Sequence, residues 1–134
     1  MKNVFLLFIA VGLIFLSSCS KDPVEILYGT WNLTGVEAES TITGEMSTAS
    51  ATGSITFNED GTGSLDYNFT VLGASSSTSG MFEYTANENT IQLNPGQPDG
   101  LTFSRIENKK NLQVLEFEQD YTIDILKIRL TFEM

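Results

Sequence analysis

The sequence predicts an all-β protein, an antiparallel up-and-down β-barrel of about eight to nine strands set behind an N-terminal signal peptide. Three observations point there. Apolar residues recur with period two and almost never with the 3.6 of a helix, as where Leu65, Tyr67, Phe69 and Val71 alternate with Asp66, Asn68 and Thr70. Most links between such runs are short and rich in Asn, Asp and Gly, which accept the backbone angles of turns. No segment of helical length and pattern follows residue 28, so successive strands are expected to join by hairpins into a meander.

The chain opens on Lys2 followed by Val4 to Leu16, thirteen apolar residues without a charge. That length suits the core of a signal peptide and falls short of the roughly 20 residues of a membrane-spanning helix. Leu16-Ser17-Ser18-Cys19 closes the stretch, and Cys19 is the only cysteine. The run resembles the bacterial lipobox, and the resemblance implies diacylation of Cys19, cleavage before it and acylation of the freed amine. An uncleaved anchor with an ordinary buried cysteine is disfavoured by the position of Cys19 and the lack of any other cysteine. The expected division is a lipoprotein signal peptide at 1–18, a lipidated tether at 19–26 and a barrel domain at 27–134. One acyl chain holds a protein only marginally, so two or three would keep it tethered to the lipid bilayer without spanning it. Ser20 stands where an inner-membrane retention signal places Asp, which by analogy favours the outer membrane of a cell envelope.

Beyond the tether, strands are expected at about Leu27 to Glu37, Thr41 to Ser47, Gly53 to Phe57, Leu65 to Val71 and Gly80 to Ala86. Four more follow at Thr90 to Leu93, Leu101 to Ile106, Leu112 to Glu118 and Tyr121 to Phe132. Asn58-Glu59-Asp60-Gly61, Asn87-Glu88-Asn89, Asn94-Pro95-Gly96 and Asn108-Lys109-Lys110-Asn111 supply turns. The small polar run from Gly73 to Gly80 is expected to be a flexible loop, as is Ser47 to Gly53. In the last strand the apolar phase moves from odd positions (Tyr121, Ile123, Ile125) to even ones (Leu126, Ile128, Leu130, Phe132). A β-bulge, or burial of both faces there, would absorb the slip.

Removing 18 residues from 134 leaves 116, enough for one domain and too few for two. The formal net charge of −10 becomes −11 without Lys2, so phosphate backbones find little to hold them and nucleic acid is excluded as a partner. A monomer is expected. There is no histidine, and acylation would commit Cys19, which excludes Ser-His triads, thiolate nucleophiles and typical zinc sites. Seventeen acidic residues make chance carboxylate pairs common, so a solvated acidic surface is preferred to glycosidase chemistry. The oxygen-rich Asn58-Glu59-Asp60-Gly61 lacks the ligand spacing of a calcium loop and is expected to be a hairpin turn. No metal, cofactor or catalytic residue is expected.

Gly29-Thr30-Trp31 opens the first strand, Arg129 lies in the last, and Phe57-Asn58-Glu59-Asp60-Gly61-Thr62 forms a hairpin between two others. This pattern resembles the lipocalin-like domains of bacterial lipoproteins. The resemblance implies that Trp31 plugs one end of the barrel and that Arg129 crosses its indole, with Gly29, Trp31 and Arg129 as structural closure rather than ligand contacts. It also implies non-enzymatic binding of a small apolar or amphipathic ligand. Phe57, Tyr67, Phe69, Tyr84, Phe103 and Phe117 are the candidates to line its site, with Tyr67 or Tyr84 orienting a polar end. The alternative is a packed barrel that acts as a protein- or glycan-interaction module. Internal volume separates the two.

Overall fold

The computed structural model describes residues 21–122 and 124–134, so the predicted signal peptide and Cys19 lie outside the described residues. A single 3-10 turn, Glu25–Leu27, leads into nine strands: β1 (Gly29–Ser40), β2 (Met46–Ala49), β3 (Ala51–Phe57), β4 (Thr62–Val71) and β5 (Ala74–Ala86), then β6 (Thr90–Leu93), β7 (Leu101–Lys109), β8 (Leu112–Tyr121) and β9 (Asp124–Glu133). All pair antiparallel, from β3 to β9 each with the next, and β1 pairs with both β3 and β9. That last pairing closes an eight-stranded barrel, with β2 as one extra strand along β1. β2 and β3 lie against successive halves of β1, Met46–Ala49 opposite Val36–Glu39 and Ser54–Phe57 opposite Gly29–Asn32.

Alternation sets the interior. On β9, Leu126, Ile128, Leu130 and Phe132 are buried while the residues between them are not, and β4 does the same with Tyr67, Phe69 and Val71. Each strand gives one side to a single core and the other to solvent. The 3-10 turn, the β3–β4, β5–β6 and β7–β8 turns and the end of β9 gather at one end of the barrel. The β1–β2, β4–β5 and β8–β9 connections gather at the other.

Three sequence expectations are corrected. The Gly73 to Gly80 run is not a loop: Ala74–Phe82 continues β5 in unbroken register with Val71–Gly63 of β4. Ser47 to Gly53 is likewise extended, interrupted only at Ser50 between β2 and β3. The phase slip near Ile125 is neither a bulge nor two-sided burial. Tyr121 pairs with Asp124, so the chain reverses between them and the two phases belong to two strands, β8 and β9. The register shifts that do occur lie between Leu33 and Gly35 of β1 and between Arg105 and Glu107 of β7.

Two glycines are needed for close approach. A Cβ on Gly53, whose φ is 118°, would run into the main chain of Asp66 and Tyr67, and one on Gly63 would enter the Phe82 ring and the Thr56 carbonyl. The turn at Asn58–Gly61 is held by Asp60, whose carboxylate accepts from Thr62 N at 2.9 Å and Thr62 Oγ1 at 2.6 Å. Those two bonds hold the Asp60 carboxyl below its ordinary pKa.

Candidate functional site

One end of the barrel is sealed by the N-terminal segment. Trp31, fully buried on β1, donates from its indole Nε1 to the Leu27 carbonyl at 2.7 Å, and Leu27 is itself fully buried. Gly29, with φ 125°, starts the strand beneath the Met134 side chain. The guanidinium that serves this end is Arg105, not Arg129. Arg105 on β7 donates to the Pro23 carbonyl (3.1 Å), the Asn87 carbonyl (2.7 Å) and Gln113 Oε1 (3.1 Å), and also to Asn108 Oδ1. Strands β1 and β7 thus both clasp the segment at residues 22–27. Burial lowers the pKa of Arg105, and its Nε has no partner among the described residues.

Arg129 was expected across the Trp31 indole and is elsewhere. It sits opposite Glu37 on β1, six residues along the strand from Trp31, or about 20 Å at roughly 3.3 Å per residue. Its side chain points outward, with Nε 2.6 Å from Glu116 and Nη2 3.9 Å from Glu39. The hydrogen bond it donates to Glu116 is the main reason its pKa is raised. Strand phase distinguishes the two arginines: Arg105 is in register with buried Phe103, whereas Arg129 lies between buried Ile128 and Leu130.

The barrel wall is incomplete on one side. β5 meets β6 only at Tyr84–Ala86, and β7 meets β8 only from Ser104 opposite Glu116 to Lys109 opposite Leu112. The β6–β7 hairpin is short because Asn94, at φ 45°, and Pro95 turn the chain out of the sheet. Above it, Ala74–Phe82 of β5 and Phe117–Tyr121 of β8 each lack a strand neighbour among the described residues on the side facing the gap. A lateral cleft of about 430 Å³ opens there.

Side-chain size explains the volume. Tyr67 and Phe69 on β4 stand opposite Thr78 and Ser76 on β5, and Leu65 stands opposite Gly80. Large residues on one strand face small ones on the next, so the space between is not filled. Leu65, Tyr67, Phe69, Phe117, Leu93 and Leu101 supply the apolar lining, and Ser76, Thr78, Asn94, Asp99, Glu118 and Gln119 the polar part. The Tyr67 ring stacks beside Phe69 at 6.2 Å and meets Phe132 edge-on at 6.3 Å. No hydrogen bond to the Tyr67 hydroxyl is present among the described residues. Burial pushes its pKa up to about 12.

Of the six aromatic residues expected to line a ligand site, Tyr67, Phe69 and Phe117 do so. The other three are packing residues. Phe57 and Tyr84 form an edge-to-face cluster with Phe82, at 5.0 to 6.1 Å, and the Tyr84 hydroxyl is spent on the Asn58 carbonyl at 2.6 Å. Phe103 is fully buried behind Phe117, edge-to-face at 5.5 Å. Sequence reasoning missed the facing wall of Ser76, Thr78 and Gly80. The period-two phase of Phe82 and Tyr84, run backwards, would have found it.

A family model described as a lipocalin-like domain matches residues 27–116. Among solved structures, the chain resembles the siderocalin Ex-FABP, which is described as functioning through dual ligand specificities. The TM-score is 0.48 at 10% identity, covering 81% of this chain and 73% of that one. No curated protein matches the sequence.

Proposed function

This chain belongs to the lipocalin-like domain family, and on that premise we propose that it binds a small apolar or amphipathic molecule in the lateral cleft, without catalysis. The observation that carries the proposal is the cleft of about 430 Å³, lined by Tyr67 and Phe69 of β4, Ser76, Thr78 and Gly80 of β5, and Phe117 of β8. That volume falls within the range of small-molecule sites and is far more than a few waters occupy, so it favours ligand binding over a packed barrel. Each 100 Å² of ligand apolar surface buried there would contribute about 2.5 kcal/mol. The free Tyr67 hydroxyl would orient a polar end, a role closed to Tyr84. In the same proposal, acylated Cys19 holds a monomer to the outer membrane of the cell envelope.

The eight barrel strands, β2 and the 3-10 turn at Glu25–Leu27 all lie within residues 21–134, so a chain beginning at Ser20 carries the barrel. Native mass spectrometry of that chain, purified from its own host, is expected to show a co-purifying small molecule. Thr78→Phe fills the cleft opposite Tyr67 and should lose that mass while keeping the far-ultraviolet circular dichroism of the barrel. Equal retention by both proteins, or no bound mass in either, would overturn the proposal.

A further inference from the structure

The β5 edge bordering the cleft bears main-chain groups that no strand of the described residues satisfies. Val71 pairs with Ala74 across the two-residue turn Leu72-Gly73, which makes that pair mutually hydrogen-bonded. Hydrogen-bonded and non-hydrogen-bonded pairs then alternate along the ladder. Ser76, Thr78, Gly80 and Phe82 therefore spend their N–H and C=O on β4, while Ser75, Ser77, Ser79 and Met81 turn theirs to the other side. Glu83, next in this second set, confirms the phase: its carbonyl accepts from Asn94 N at 2.8 Å, and its N–H donates to Asn94 Oδ1 at 3.1 Å. Before Glu83, no strand of the described residues lies beside β5 on this side.

Natural sheets protect such edges with lysine, proline or a bulge. Ala74–Phe82 has none of these, and its register with β4 is unbroken. From Ala74 to Gly80 its side chains are all small, and Ser75, Ser77, Ser79 and Met81 are all exposed. The charge on the flanking strands and in the cleft lining is of one sign, with Lys127 of β9 the nearest cation in register, opposite Glu118. Asp66 and Glu83 flank the edge, Asp99 and Glu118 line the cleft, and no lysine or arginine lies on β4, β5 or β6 or in the cleft lining. A second copy of this strand would bring carboxylates against carboxylates.

We propose that the free edge of β5 receives an extended, basic polypeptide segment from a partner protein, added antiparallel as a strand along Ser75–Met81. It would follow the line on which β6 stops at Asn94. Main-chain hydrogen bonds would give the affinity and alternate lysines the specificity. The segment would also cover the mouth of the cleft, a role distinct from small-ligand binding.

The test adds a nine-residue peptide of alternating lysine and valine to the chain beginning at Ser20 and follows amide hydrogen exchange residue by residue. The amides of Ser75, Ser77, Ser79 and Met81 are expected to slow at least tenfold, with those of Ser76 and Thr78, already in the β4 ladder, unchanged. Methylating every second peptide amide should abolish the effect, and replacing lysine by glutamate should weaken binding at least tenfold. Ser77→Pro, which removes one outward N–H and no bond to β4, should weaken peptide binding at least fivefold. It should leave the co-purifying small molecule in place, because Ser77 is not part of the cleft lining. Unchanged exchange with the lysine peptide, or equal protection by the methylated one, would overturn the proposal. So would slow exchange at these four amides in a peptide-free dimer. The methylated peptide decides the matter even if Ser77→Pro does not fold, and loss of the small-ligand reading leaves the exchange and peptide-binding results standing.

Discussion

Arg105 and Arg129, the only two arginines of the chain, differ in what their loss exposes. Replacing Arg105 by alanine strips donors from the carbonyls of Pro23 and Asn87 and from Gln113, which is itself buried. Orphaning the buried Gln113 acceptor together with two part-buried carbonyls should cost about 2 to 4 kcal/mol. Arg129→Ala removes ion pairs whose arginine is one-third exposed, and should cost no more than about 1 kcal/mol. Urea unfolding of both variants measures the difference, and equal losses would contradict the assignment of Arg105 to the sealed end. Tyr67 and Tyr84 give a pH dependence of definite sign. Burial raises both to about 12 from 10.0, so the folded state holds their protons more tightly than the unfolded one. Their contribution to stability is complete below pH 10 and is lost as pH rises from 10 through 12. Absorbance near 295 nm should show two phenols ionising late, and Tyr67→Phe should remove one of them and flatten the alkaline loss of stability.

Strand β5 is the element that sequence patterning half captured. Gly80 to Ala86 was legible because Phe82 and Tyr84 alternate with polar neighbours, whereas Ala74 to Ser79 contains no large apolar residue from which to take a phase. What makes those residues a strand is a partner: β4 offers a complete ladder, and the tight turn at Leu72-Gly73 sets the register. The same small side chains that hid the strand create the cleft, so the site was concealed by the property that forms it. The β8–β9 hairpin failed differently, because a reversal without a strong turn signature left only its phase change as a trace. The barrel itself was legible, since nine alternating runs with short links and a Gly-x-Trp start leave few other arrangements. Close strand approach gives a test at this scale. Gly53→Ala, which drives a Cβ into the β4 main chain beside Tyr67, should destabilise by about 1 to 3 kcal/mol. Gly35→Ala meets only the Thr131 side chain at 3.6 Å and should be within about 1 kcal/mol of neutral. Thermal unfolding of the pair separates a steric demand from general intolerance of substitution in strands.

The molecule as a whole is strongly acidic, with 17 Asp and Glu against 7 Lys and Arg. Asp99 and Glu118 bring that bias to the cleft. A twelve-carbon alkylammonium should therefore bind more tightly than the corresponding carboxylate at low ionic strength, and the gap should narrow in 1 M salt, where the Debye length falls to about 3 Å. Isothermal titration at the two salt concentrations reads this directly, and a preference for the carboxylate would argue that the cleft carboxylates do not face the ligand. The position of the lone tryptophan governs how such work is done. Trp31 is walled off at the stoppered base, its indole tied to Leu27 and absent from the cleft lining. Its emission is a gauge of whether the base is intact and a poor witness to what enters the side, so a flat fluorescence trace on adding an amphiphile is the response of a loaded protein as much as of an empty one.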